Sequence, residues 1–344
     1  MEKPEKWGLM TAAIIVMTAC GVTGCVTGPD QAKSHYNYLM RGEKELVNAD
    51  LGNAKLANAM LEDTVLRNAN LKGANLSGAN LIGANLRGAN LAGANLKGSQ
   101  LNGANLNWAS LRRANLSDAN LSKARCYMAD FTGANLSNLR LKGAVLTKAD
   151  LTGADLSGTA LNGTELTGAL LTRSSFEGAD LSAAELAWAL LRGSNLKKAL
   201  LPGARLGNAI LSGANMMWAN LEGADLSGAC LSGANLEGAC MKGADLSAAD
   251  CSNARFFQAN LSGGKIQNAS LEGADLRDAN LSGASLAGTN LFNANLTNAN
   301  LEGADLDNAE LANADLRGAV VAKKWKKLFK KQLVLNYDDI RWSD

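Results

Sequence analysis

The sequence predicts an all-β solenoid whose coil has four faces and takes 20 residues to close. Three observations carry this reading. Large apolar residues recur every five positions from Leu46 to Leu316, 55 in succession without an insertion or deletion. Forty-seven of them are Leu, and the others are Cys126, Phe131, Phe176, Met216, Met241, Cys251, Phe256 and Ile266. A small residue, nearly always Ala, stands two positions before almost every one of them. The departures from the pattern recur at multiples of 20: outward Leu170, Leu190, Ile210 and Cys230 every 20, inward Phe176, Met216 and Phe256 every 40. The small-residue exceptions pair the same way, Leu139 with Thr159 and Ser174 with Ser194. Four faces per coil put each set in one column, whereas three would scatter them.

The elements follow in chain order. Residues 1–24 open with Lys3 and Lys6 before an apolar stretch, Trp7 to Ala19. At about 13 residues it falls short of the ~20 that a membrane-spanning helix needs, and its length and position are those of a signal-peptide core. It runs into Met17-Thr18-Ala19-Cys20 and then Val22-Thr23-Gly24-Cys25. Both resemble the lipobox of bacterial lipoproteins, and the resemblance implies a lipidated Cys25 or Cys20. Val22 suits the first lipobox position better than Met17, while Cys20 lies nearer the apolar core. Neither Gly21 nor Val26, the candidate second mature residues, is Asp, which points to the outer membrane where the host has two. The alternative is an uncleaved anchor or a cytoplasmic protein with an apolar leader.

Residues 25–45 read as a tether and N-terminal cap, with a turn at Thr27-Gly28-Pro29-Asp30 and a short helix or irregular cover around Ser34 to Met40. A solenoid end exposes apolar core and free strand edges, so a cover is expected. The chain's single histidine, His35, is a cap or surface residue.

Residues 46–320 are the solenoid. In Gly73-Ala74-Asn75-Leu76-Ser77-Gly78, Ala74 and Leu76 are two apart with Asn75 between them. That is one step of strand alternation, two side chains in and one out. The next two residues turn the chain, and the Gly and Asn common at the second suit corner backbone angles. Outward columns such as Asn75, Asn95, Asn115 and Asn135 suit stacked amide ladders. This stretch resembles the pentapeptide-repeat family. The resemblance implies a right-handed quadrilateral β-helix, inward Leu or Phe and small residues, and three outward residues per unit. Fifty-five units over four faces make about 14 coils.

Residues 321–344 are a basic amphipathic cap. Val321, Trp325, Leu328, Phe329 and Gln332 or Leu333 share a predicted helical face, opposite Lys323, Lys324, Lys326, Lys327, Lys330 and Lys331. The apolar side is expected to lie on the last coil as a short helical lid. The lysines are candidates for contact with an anionic surface, lipid or peptidoglycan.

The net charge of +2 suggests neither a nucleic-acid binder nor an acidic tail. Residues 46–200 hold 16 basic and 11 acidic side chains, and residues 201–320 hold 6 and 13, so the charge drifts from +5 to −7. Cys126 and Cys251 occupy inward positions, and Cys230 and Cys240 fall on opposite faces of one coil, too far apart for a disulfide. No nucleophile motif, metal-ligand spacing or phosphate-binding loop is present, so neither an enzyme nor a cofactor is expected.

The expected function is a non-enzymatic, lipid-anchored structural or protein-binding element of the bacterial cell envelope. Its expected partner, an envelope protein or a second copy, meets an outward apolar stripe of Leu170, Leu190, Ile210 and Cys230 with Trp188 beside it. Leu200, Cys240, Met217 and Trp218 lie towards the opposite face. The family resemblance offers an alternative, a cytoplasmic DNA mimic that binds a type II topoisomerase. That class is strongly acidic, and the basic C-terminal segment and uninterrupted period depart from it.

Overall fold

The computed structural model describes residues 44–344. The leader, both lipidation candidates Cys20 and Cys25, and the cap candidates of residues 25–43, His35 included, lie outside the described residues. The chain divides into two compact units at Leu170 and Leu171.

Both units are built from one five-residue device. In the first, the outward residue ahead of each leucine bridges in parallel to the residue 20 positions on, as Asn75 does to Asn95. Four pentapeptides therefore close one coil. The leucines and their small partners are buried throughout, with Leu76 and Ala74 fully so. The second unit repeats the pattern, with bridges such as Asn195 to Asn215 and Asn215 to Asn235.

The polar backbone is accounted for residue by residue. In Ala74–Gly78, Ala74 N–H closes the preceding corner on Leu71 O (3.0 Å), and Asn75 N–H reaches back to Ala54 O (2.9 Å). Leu76 and Gly78 donate forward to Asn95 O and Lys97 O, at 2.7 and 2.9 Å. One N–H remains, that of Ser77, and the Asn75 side chain takes it through Oδ1 at 3.2 Å. Buried amides must find partners, and the fifth is met by a side chain rather than by another coil. The same Asx turn recurs at Asn95 with Lys97, Asn115 with Ser117 and Asn135 with Ser137.

This finding corrects the expected amide ladder. Along Asn75, Asn95, Asn115 and Asn135, only Asn95 donates to its neighbour Asn75, at 3.2 Å. The oxygens are engaged by corner amides instead. The second corner residue has positive φ, +65° at Gly78 and +58° at Asn58 below it, so small or Asx residues fit it best.

Ser and Thr at the small position also satisfy their hydroxyls on backbone carbonyls. Thr159 donates to Leu136 O and Thr164 to Leu141 O, at 2.9 and 3.0 Å. Buried Ser194 Oγ has no partner.

The second unit ends in a small parallel sheet of β1 (Asn300–Leu301), β2 (Val320–Ala322) and β3 (Arg341–Ser343). Val320 lies opposite Asn300 on one side and Arg341 on the other. The helical reading of Val321 is thus corrected: its alternation with neighbours of period 2 wins, and it is a buried strand residue facing inward like a leucine. A 3-10 turn (Lys323–Trp325) and helix α1 (Lys326–Lys331) follow. Trp325 and Phe329 are buried, but Leu333 sits past the helix end with φ +55° and is 79% exposed, not on the buried face.

This segment imitates a coil. Ala304 O accepts from Trp325 Nε1 at 3.2 Å, and Ala309 O from Gln332 Nε2 at 2.7 Å. Leu311 N–H donates to Gln332 Oε1, and Leu335 N–H donates to Ala314 O at 2.8 Å. Two side chains thus satisfy three backbone groups that another coil would have met.

Replacing Gln332 with Ala strands one donor and one acceptor, each half-screened by the cap. A loss of about 1–3 kcal/mol is expected, with a smaller loss for Gln332→Glu, which keeps the acceptor. Denaturant melts that do not distinguish Gln332→Ala from the parent would contradict this role.

Candidate partner-binding surfaces

Every unit spends its Leu, its Ala and, in most cases, its Asn or Asp on folding. A functional surface must come from outward residues that do none of this work. The apolar stripe is such a departure. In the second unit Leu190 bridges to Ile210 and Ile210 to Cys230, so the three stack in successive coils, half-buried against one another. Leu170 ends the first unit, bridged to Asp150 and 38% exposed. Leu190 and Ile210 have no acceptor to offer Arg192 and Ser212, the corner amides that Asn would have served.

Cys230 restores part of that function. Its sulfur lies 3.2 Å from Ser212 Oγ and 3.5 Å from Ser232 Oγ, and 3.7 Å from Asp250 Oδ2. Partial burial works to raise its pKa, but hydrogen bonds from the two serine hydroxyls and the Ser232 amide outweigh burial and the Asp250 charge. The thiol therefore titrates below its usual range. Cys126 is fully enclosed, and burial pushes its thiol up to about 12; burial, with the charges of Asp250 and Cys230, also raises Cys251. The four described cysteines are free thiols.

Trp188 stands at a corner beside Leu190 with φ +61° and is 63% exposed. Trp218 occupies another corner of the second unit, φ +58° and 51% exposed. Its ring lies over Gly238, where a β-carbon would collide with it. A left-handed backbone costs a non-glycine residue about 1–2 kcal/mol, and these tryptophans recover little of that through burial.

The first unit has a cluster that the sequence reading missed. Trp108, φ +58° and exposed, meets Tyr127 edge-on at 5.6 Å, and Arg87 lies over its ring at 4.5 Å. Exposed Met128 follows in the next coil of the same corner column. The signal was available: a bulky residue at the second corner position, where Gly and Asn predominate.

The six lysines of the C-terminal segment are all exposed, with Trp325 and Phe329 buried beneath them. Lys324 lies 4.5 Å from the Trp325 ring, Lys326 5.1 Å from Trp342 and Lys330 5.7 Å from Tyr337. Among the described residues no group of three or more His, Cys, Asp or Glu could hold a metal ion. No described helix is long and apolar enough to cross a membrane.

A family model for pentapeptide repeats matches the chain over residues 45–197 and 199–320. Solved structures are similar as well. HetL, a pentapeptide repeat protein involved in heterocyst differentiation regulation in Nostoc sp. strain PCC 7120, is 34% identical, with 65% of this chain and 88% of its own covered and a TM-score of 0.28. A pentapeptide repeat protein of the Arabidopsis thaliana thylakoid lumen is 31% identical, covering 31% and 77%, with a TM-score of 0.25. QnrB1, a plasmid-mediated fluoroquinolone resistance protein, is 18% identical, covering 71% and 96%, with a TM-score of 0.30. Among curated proteins none matches the chain.

In the folded chain, iodoacetamide should alkylate Cys230 with a pH midpoint below that of the same residue in urea, because its hydrogen bonds favour the thiolate. Cys126 and Cys251 should react only after unfolding. Peptide mass spectrometry reads both, and coincident midpoints for folded and unfolded Cys230 would contradict the assigned environment.

Proposed function

Since the chain belongs to the pentapeptide-repeat family, we propose that it is a non-enzymatic protein-binding scaffold of the bacterial cell envelope, tethered by a lipidated Cys20 or Cys25. The proposal includes the family's right-handed quadrilateral form, about 14 coils from 55 units, and short helical caps. Two lipobox-like sequences after a signal-like core support the tether. The observation that carries binding is the outward column of Leu190, Ile210 and Cys230. At its first two positions the Asx hydrogen bond is given up for apolar surface, next to a strained and exposed Trp188. Residues that break the local folding rule without evident compensation mark function more often than architecture. The partner is a second copy of the chain or one envelope protein. No nucleic acid takes part.

The tether is tested by metabolic labelling with palmitate. Incorporation should be lost in Cys20→Ala or in Cys25→Ala, and the variant that loses it identifies the modified residue. A labelled chain in neither parent nor variant, together with gyrase protection by the purified protein, would favour a cytoplasmic topoisomerase-binding DNA mimic.

The stripe is tested by the double variant Leu190→Asn, Ile210→Asn. Each Asn supplies the missing acceptor, worth about 0.5–1.5 kcal/mol, so the fold should be held or stabilised while association is lost. Sedimentation mass and envelope pulldowns read association. A variant that folds and keeps every contact would make the stripe structural.

A further inference from the structure

The C-terminal segment does more than its lid function requires. Closing the last coil takes Trp325, Phe329, Gln332 and Leu335, which face or bond the coil below. None of the six lysines donates a hydrogen bond to the coil below. Of these six only Lys323 is ion-paired, to Asp344. Glu302, Asp305, Asp307 and Glu310 of the last coil and Asp338 and Asp339 of the cap form no ion pair with these lysines. Lys326 and Lys330, and Lys327 and Lys331, are like charges four apart on α1, which disfavours the helix. Five cations without a carboxylate partner are thus held on an aromatic-backed cap, three of them against its rings.

Leu333 is the second anomaly. It occupies the position after the helix C-cap with φ +55°, where Gly or Asn is favoured. It is nonetheless a large apolar residue, 79% exposed, with exposed Leu335 and Phe292 nearby in the fold. Leu333, Phe292, Ala312 and Lys331, together with Asn290, Glu310 and Gln332, line one shallow depression of about 420 Å³. A strained, exposed apolar side chain next to unpaired lysines combines the two contacts that an anionic bilayer surface offers, phosphate headgroups and the acyl boundary.

We propose that the C-terminal cap is a second membrane contact, in which Lys324, Lys326, Lys327, Lys330 and Lys331 engage anionic phospholipid headgroups and Leu333 inserts as a wedge. It stands independently of acylation at Cys20 or Cys25. A soluble polyanion would satisfy the lysines but leave the leucine in water, so the bilayer is the occupant that fits both.

The test uses the full chain carrying Cys20→Ala and Cys25→Ala, so that no acyl group contributes and the tether reading is not at stake. Flotation measures partition onto phosphatidylcholine vesicles with and without about 30 mol % phosphatidylglycerol, and the apolar leader sets the common baseline. The anionic lipid should raise partition about fivefold for each lysine that reaches the surface, on the order of 3,000-fold for all five, and about 0.5 M salt should remove most of the gain. Replacing the five lysines with Gln should abolish the gain while circular dichroism stays unchanged. Leu333→Asn should lower partition severalfold and raise the melting temperature, because Asn suits the left-handed position. The proposal fails if the parent shows no anionic gain, or if the gain survives the five Gln substitutions. It fails also if millimolar inorganic phosphate displaces the chain as well as salt does. A Leu333→Asn chain that melts lower or binds unchanged would overturn the wedge.

Discussion

One backbone amide per pentapeptide governs this protein. Stacking satisfies three of the five N–H groups in each unit and the corner turn closes on a fourth, which leaves the first corner amide without a coil to bond. The outward residue two positions earlier closes the gap when it is Asn or Asp, as Asn75 does for Ser77 and Asp225 for Ser227. Where that residue cannot accept, the structure looks elsewhere. Arg125 has no acceptor for Tyr127, and Asn107 from the neighbouring coil takes its amide at 2.9 Å. Inward burial fixes which residues are Leu and Ala; this amide fixes why the residue between them is so often Asx.

The consequence is a division of labour around each coil. The two inward positions carry the hydrophobic contribution and admit little variety. The outward bridge position carries a hydrogen bond, and the corners carry backbone curvature. Variety at the last two is therefore informative. Leu190 and Ile210 forgo the hydrogen bond, and Trp108, Trp188 and Trp218 accept a left-handed corner while remaining exposed. Each departs from what the local backbone would select.

The solenoid core was legible because its signal is redundant. Leu76 repeats the message of Leu71 and Leu81, and the spacing of Phe176, Met216 and Phe256 carries the 20-residue turn. Asn75 was legible as outward but not as a turn acceptor, since a spacing shows direction and not which oxygen meets which amide. The C-terminal segment was legible in part. Trp325 and Phe329 stand out in the sequence as the buried pair, but the apolar period runs on through Val321 and Leu333, outside a helix that starts later and ends sooner. No periodic neighbour corrects an error in a segment that occurs once. In the cluster around Trp108, Arg87 and Tyr127 lie 21 and 19 residues away from it in sequence and meet it only when coils stack, so the bulky corner residue alone does not name its partners.

The cap has an evolutionary consequence. Gln332, Trp325 and Leu335 read Ala309, Leu311, Ala304 and Ala314 almost entirely through carbonyl oxygens and amides. Those atoms exist in the same arrangement on every coil. Only the bond from Asn336 Nδ2 to Asp315 Oδ1, 2.7 Å, reads a side chain that particular coils supply. Duplication or loss of a 20-residue stretch inside the solenoid thus leaves the terminus a seat it already recognises. Chain length becomes a property that unequal recombination can change in whole turns, with no need to redesign the end.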